Sequence, residues 1–161
     1  MMDKKMVEAI NTQLNFEIES AHVYLAMQNY FAAKSLKGFE HWFQVQFREE
    51  LEHAQKFMDY LNDRGERVEL RGFGNPQNEF ESVLQVLEIS LNHEKEVTRR
   101  INNLMKMAIE LNDYATVSLL NWYVDEQVEE EANFSELIDK VKMISNNGIF
   151  MLDKELIKRE D

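Results

Sequence analysis

Glu50 and His53 stand three residues apart near the middle of a long apolar-periodic stretch. On a helix that spacing is about 300° of turn and ~4.5 Å of rise, so both side chains share one face. The same face carries Phe39, Phe43, Phe47, Phe57 and Leu61, which recur at helical spacing and mark it as buried. An acid and an imidazole in an aromatic stripe cost free energy unless something pairs with them. Taken alone, the motif would be satisfied by a buried ion pair or a core histidine. Three other stripes are interrupted in the same way: by Glu17 in Ile10, Leu14, Ala21, Tyr24 and Gln28; by Glu94 in Leu84, Leu87, Leu91, Ile101, Met105 and Ala108; and by Gln127 with Glu130 in Leu120, Tyr123, Phe134, Leu137 and Val141. Several carboxylates converging on one buried spot would repel one another and take up protons unless cations held them.

The ligand set is oxygen plus one imidazole nitrogen. It suits iron or manganese, with zinc as a competitor. There are too many carboxylates for one ion, which implies two. Glu50 can bridge them, Glu17 and His53 complete one shell, and Glu94 and Glu130 complete the other, with Gln127 nearby as a weak ligand or hydrogen-bond donor. Only one of the two ions then has an imidazole.

The elements that must position these residues are long helices. One proline and five glycines in 161 residues leave few breaks. The pattern predicts a first helix over about 3–33 and a second over about 36–64, with Ser35 as its N-cap and Gly65 closing it. A loop over 66–77 holds Gly72, Gly74 and Pro76. The third helix starts between Asn78 and Ser82, where Asn78 and Glu81 fit a capping box, and ends near Leu111. The fourth is capped by Asn112 or Asp113 and runs to about Ile144. After Asn146, Asn147 and Gly148 comes a short fifth helix, 149–158. Helices of about 28 residues are ~42 Å long, and short links make the first and second, and the third and fourth, antiparallel neighbours. Twelve extended residues span ~40 Å, enough to cross the bundle lengthwise. The expected fold is all-α: one domain over 1–161, a four-helix bundle over about 3–144 with one long crossover, and a short C-terminal helix. Each interruption lies near mid-helix, so all four should meet at one height. The apolar residues of the fifth segment, Ile149, Phe150, Met151, Leu152, Leu156 and Ile157, are expected to be buried against copies of the chain rather than in the bundle core.

Composition narrows the function classes. A net charge of −12 disfavours nucleic acid and anionic membranes as partners and is compatible with attracting cations. No apolar run is long enough to span a membrane, and no secretion signal is visible. The absence of cysteine excludes thiolate zinc and iron–sulfur sites and fits a cytoplasmic protein.

With these residues in place, the chain resembles the bacterial non-haem ferritins over essentially its whole length. The resemblance rests on Asn15-Phe16-Glu17-Ile18-Glu19, Glu49-Glu50-Leu51-Glu52-His53-Ala54, Glu94, and Trp122 through Glu131, within which Gln127-x-x-Glu130 falls. It implies a ferroxidase that oxidises Fe(II) with dioxygen or hydrogen peroxide and stores ferric mineral in a homo-oligomeric shell of twenty-four subunits. It implies two irons at Glu17, Glu50, His53, Glu94, Gln127 and Glu130, with a third iron site at Glu49, Glu126 and Glu129 and with Tyr24 beside the centre. Glu49, Glu126 and Glu129 lie on or near polar helix faces, where charge is usually only solvated. Bacterioferritins carry Glu-x-x-His on the fourth helix and a haem-ligand methionine where this chain has Leu51, so no haem is expected. A di-iron oxidase or peroxidase that stores nothing is the alternative, separable by particle size; a purely structural bundle would bind neither iron nor zinc. His22, His41 and His93 read as surface or packing residues, the nine methionines as core filler, and Trp42 and Trp122 as core or interface anchors.

Overall fold

The computed structural model describes the backbone of residues 1–161 and every side chain except that of Asn146. The helices are α1 (Lys4–Ala33), α2 (Lys37–Asp63), α3 (Val83–Glu110), α4 (Tyr114–Met143) and α5 (Ile149–Leu156), with a 3₁₀ turn at Asn146–Gly148 before α5. No strand occurs among the described residues.

Three of the helices end alike. The residue after the C-cap takes a left-handed conformation, with φ +59° at Ser35, +73° at Gly65 and +55° at Asn112. A 6→1 bond then closes each end: Leu36 N–H to Phe31 O (3.1 Å), Glu66 N–H to Leu61 O (2.8 Å) and Asp113 N–H to Ala108 O (2.9 Å). Ser35 therefore terminates α1 and is not the N-cap of α2. That cap comes from the far end of the chain. Asp153 Oδ1 accepts the Phe39 N–H at 2.9 Å and places a carboxylate at the positive end of the helix. The approach is possible because Gly38 has no side chain: a Cβ there would lie 1.6 Å from the Asp153 carbonyl oxygen. The start of α3 also differs from expectation. Ser82 Oγ caps it by accepting from Gln85 N–H (3.0 Å), while Gln85 Oε1 accepts the Glu81 N–H (2.7 Å); Asn78 only donates to Pro76 O. Asp113 caps α4, accepting from Thr116 N–H at 3.2 Å.

The connection over 64–82 is longer than the sequence suggested and runs the full length of α1. Glu66 accepts from Met2 N–H (3.0 Å) at one end, and Phe80 packs edge-on against Tyr30 (5.2 Å) at the other. Twenty-eight residues of helix are about 42 Å. Between these ends Asn11 and Asn15 hold the crossing backbone as a neighbouring strand would. Each side chain donates to one carbonyl (Arg67, Glu69) and accepts one N–H (Glu69, Arg71), at 2.7–3.0 Å. The crossover sets α3 antiparallel to α1 and parallel to α2. Paired contacts follow that order: Met27 with Ser90, Tyr24 with Glu94, and Phe16 under the Arg100 guanidinium. Across the other pair, Trp42 meets Phe134, Gln46 meets Glu130, Phe57 stacks on Tyr123, and Tyr60 meets Thr116.

The core divides in two. One apolar cluster holds Tyr24, Met27, Phe31, Phe39, Trp42, Phe43, Leu87, Phe134 and Leu137. The other holds Met6, Ile10, Leu14, Phe57, Leu61, Ile101, Leu120 and Tyr123. Between them, at mid-height, lies a polar layer. Gln28, Phe47, Leu84, Leu91, Met105 and Val141 are only half-buried; Met27, Phe31, Val86, Ser90, Val97 and Leu104 fill much of the depth assigned to them. The fifth helix is not held by copies of the chain alone. Its Leu152 and Leu156 are buried in the first cluster, against α2 of the same subunit. The opposite face exposes Phe150, Met151 and Ile157. Only that half of the expected assembly surface is left for other subunits.

Candidate metal centre

The polar layer consists of Glu17, Glu50, Glu94 and Glu130, each at most 2% exposed, with His53 at 4% and Gln127 at 2%. One ligand atom each from Glu17, Glu50 and His53 lie within 4.8 Å of one another. The same holds for Glu50, Glu94 and Glu130, and for His53, Glu126 and Glu130. Glu50 is common to the first two groups, which is where a bridging carboxylate must stand. His53 Nδ1 is 3.5 Å from Glu50 Oε2.

Each carboxylate is steered by a neighbour one helical turn away or across the bundle. Gln13 donates to Glu17 Oε1 (2.9 Å). Tyr24 donates its hydroxyl to Glu94 Oε1 (2.5 Å), and Gln127 donates to Glu94 Oε2 (3.1 Å). Gln46 donates to Glu130 Oε2 (2.8 Å) and, at 3.3 Å, to Glu50 Oε1. Thr98 binds the Glu94 carbonyl (3.0 Å) and Glu131 (2.6 Å). Tyr123 donates to the His53 carbonyl (2.6 Å), fixing the backbone that carries the imidazole. Gln13, Gln46, Thr98 and Tyr123 were not assigned to the site from the sequence. A signal was present for three of them: Gln13, Gln46 and Thr98 lie one turn from Glu17, Glu50 and Glu94, on the same face.

Four buried side-chain oxygens accept no hydrogen bond among the described residues, and two of them, Glu17 Oε2 and Glu50 Oε2, stand in this layer. Buried carboxylate oxygens without partners are rare because they are costly, and cations would satisfy both. Proton affinity points the same way. Burial pushes Glu50 well above the usual carboxylate range, helped by the charges of Glu94, Glu17 and Glu130. Burial raises Glu94 to about 7, although the bonds from Tyr24 and Gln127 pull it down. Burial and Glu94 raise Glu130. Without ions the layer therefore holds protons; ions displace them. Hard oxygens with one imidazole fit Fe(II).

The residues expected at an outer site separate. Glu126 is half-buried and groups with His53 and Glu130. Glu49 is on the same side, but its Oε2 accepts from Arg159 Nη2 at 3.0 Å. Glu129 is exposed and belongs to none of the three groups. Tyr24 is completely buried, stacked on Phe134. Among the other histidines, His93 stacks on Phe16 beside Ser20 Oγ (2.6 Å), and His41 meets the Arg159 carbonyl at 2.7 Å. No helix among the described residues is long and apolar enough to cross a membrane.

A four-helix bundle whose crossover sets two helices parallel, with carboxylates from all four helices and one Glu-x-x-His at mid-height, has the architecture and ligand types of the carboxylate metal-site bundles. Comparison with known proteins gives the family. The ferritin-like domain matches residues 7–144. The chain is 44% identical over 158 residues to the bacterial non-heme ferritin of Staphylococcus aureus strain MRSA252, covering 97% of this chain and 95% of that one. It is 42% identical over 161 residues to that of Staphylococcus haemolyticus, covering 99% and 97%. Among solved structures, an open-pore ferritin from the hyperthermophilic archaeon Archaeoglobus fulgidus superimposes with a TM-score of 0.97 at 45% identity, covering 99% and 98%. The chain belongs to the ferritin family.

Proposed function

We propose that this protein is an iron-storage ferroxidase: it binds two Fe(II) at mid-bundle, oxidises them with dioxygen or hydrogen peroxide, and retains the ferric product within a twenty-four-subunit shell. The observation that carries the reading is the pair of ligand groups sharing Glu50, with the buried oxygens of Glu17 and Glu50 left without hydrogen bonds. Glu17, Glu50 and His53 hold one substrate ion; Glu50, Glu94 and Glu130 hold the other. Four carboxylate charges balance two divalent cations, so the loaded layer is neutral between two apolar clusters. Oxidation of each Fe(II) releases one electron to the oxidant; the protein supplies position and a site walled by apolar side chains. Gln127 orients Glu94 through its amide, and Tyr24 holds the other oxygen of the same carboxylate. The unequal shells, one with imidazole and one without, give two ions of different affinity. The exposed apolar residues of α5 and its C-cap, Phe150, Met151 and Ile157, support assembly into a shell.

Two measurements on the purified protein test this. Iron content with particle size separates a loaded shell from a small di-iron oxidase. Stopped-flow oxidation of Fe(II) should show a rapid phase saturating near two irons per subunit. A small particle without mineral, or no rapid phase, would overturn the proposal.

A further inference from the structure

Arg159 lies beyond α5, in the last residues of the chain, yet its side chain is 13% exposed and packed beside the metal centre. Its guanidinium carbon lies over the Trp42 ring, 3.8 Å from the centroid. Three of its donors are directed: Nη1 to the Trp42 carbonyl at 3.0 Å, and Nη2 to Gln46 Oε1 and Glu49 Oε2, both at 3.0 Å. Gln46 in turn donates to Glu130 and Glu50. The tail is fixed by the His41 contact to the Arg159 carbonyl and by Asp153 capping α2. The guanidinium thus occupies the outer flank of the centre, where Glu49, Glu126 and Glu130 approach one another and His53.

From this geometry we infer that Arg159 is the resident cation of the outer position: it neutralises Glu49 in place of a third iron and, through Gln46, orients Glu130 and Glu50. A divalent ion placed against Glu49 would meet a fixed positive charge in a poorly solvated site. Removing the guanidinium leaves Glu49 beside Glu126 and Glu130, a carboxylate set able to take a cation. With Glu49 engaged, the outer group that remains is His53, Glu126 and Glu130, of which His53 and Glu130 already serve the two inner ions, so each subunit is limited to two substrate ions. It also ties the fit of the C-terminal tail to the carboxylates that bind them. Gln46 then presents its carbonyl to Arg159 and its amide N–H to the ligands, so the direction of that amide is set from the tail. The inference rests on the two-ion reading above.

The test is calorimetric titration of chelator-stripped, assembled protein with Zn(II), which binds without redox chemistry. Wild type should show two tight sites per subunit, and Glu49→Gln should still show two, because Glu49 is already occupied. Arg159→Gln should gain a third site, and Arg159→Gln with Glu49→Gln should lose it again. Arg159→Lys, which keeps the charge, should remain at two. Three tight sites in wild type falling to two in Glu49→Gln would overturn the inference, and that arm does not depend on how well the Arg159 variants fold. Two sites in a folded Arg159→Gln protein would overturn it as well. No tight site in any variant would defeat the iron reading itself, and this inference with it.

Discussion

Neutralising Glu94 should make the metal-free protein more stable at alkaline pH and almost no more stable at acid pH. Glu94 is fully buried and its carboxyl is raised from 4.5 to about 7. The folded chain therefore keeps this proton to higher pH than the unfolded chain does. The associated stability is complete below pH 4.5 and is lost as the pH rises through 7. At about 1.36 kcal/mol per pH unit the full displacement is worth roughly 3 kcal/mol. Integrated between pH 5 and pH 8 it removes about 2–3 kcal/mol. For a chain of this length that is roughly 5–10 °C in thermal midpoint. Glutamine keeps the size and an acceptor for the Tyr24 hydroxyl but has no proton to lose, so Glu94→Gln should abolish this part of the slope. It should also lower Glu50, whose largest charged neighbour is Glu94. The assay is denaturation of chelator-stripped wild type and variant from pH 5 to pH 8, read as the difference between the two, so that surface charge and subunit contacts cancel. Parallel curves, or a wild type that gains stability over Glu94→Gln as the pH rises, would refute the account of the apo site as a proton-holding layer. Zn(II) should reverse the order at pH 8, because the wild type can take both ions and the variant keeps intact only the group of Glu17, Glu50 and His53.

Glu50→Ala or His53→Ala should slow the rapid phase of iron oxidation more than about 100-fold with unchanged helicity, since deleting one of several crowded carboxylates also relieves repulsion; stopped-flow traces with circular dichroism check both. Tyr24→Phe removes the 2.5 Å hydrogen bond to Glu94, so Glu94 should hold its proton still more tightly and Zn(II) affinity at pH 7 should fall about tenfold; equal affinities would exclude Tyr24 from the site. Gly38→Ala places a methyl 1.6 Å from the Asp153 carbonyl, forcing α5 away from α2. Losing the cap and part of the Leu152 and Leu156 burial should cost about 3 kcal/mol, seen as a lower midpoint and rapid proteolysis near Ser145–Ile149.

The bundle was legible because its stripes are long and its punctuation sparse. Glu17, Glu50, Glu94 and Glu130 were legible because a carboxylate in an apolar stripe violates a rule that only a partner can excuse. The caps were misread where tertiary structure supplies what local sequence does not. Ser35 is a good N-cap by type, but Leu36 begins a helix whose N-terminus is already served by Asp153, more than a hundred residues away. Gln13 and Gln46 carry no signal by residue type, because a helical glutamine is ordinarily solvated; only burial gives theirs meaning. Arg159 had no local signal at all. Its partners Trp42, Gln46 and Glu49 become neighbours only after α5 docks through Gly38. Glu49, Glu126 and Glu129 share one residue type and adjoin the centre in sequence, yet the fold gives each a different environment: ion-paired, half-buried and exposed.

The division of the core explains how a site of unpartnered charge is compatible with a stable subunit. In a zinc finger the ion is the core, so folding and binding are one event. Here aromatic and aliphatic clusters close the bundle above and below the polar layer, and the backbone carrying the ligands is fixed from both ends before any ion arrives. The cost of the layer is confined to a few carboxylates, which hold protons when metal is absent and release them when it binds. That arrangement suits a passing substrate better than a permanent cofactor. On this reading the apolar clusters, and not the ions, hold the helices together. The preformed ligand set also bears little ordering cost on each new encounter. A storage protein that must load and unload the same centre many times requires that separation between what stabilises the fold and what binds the cargo.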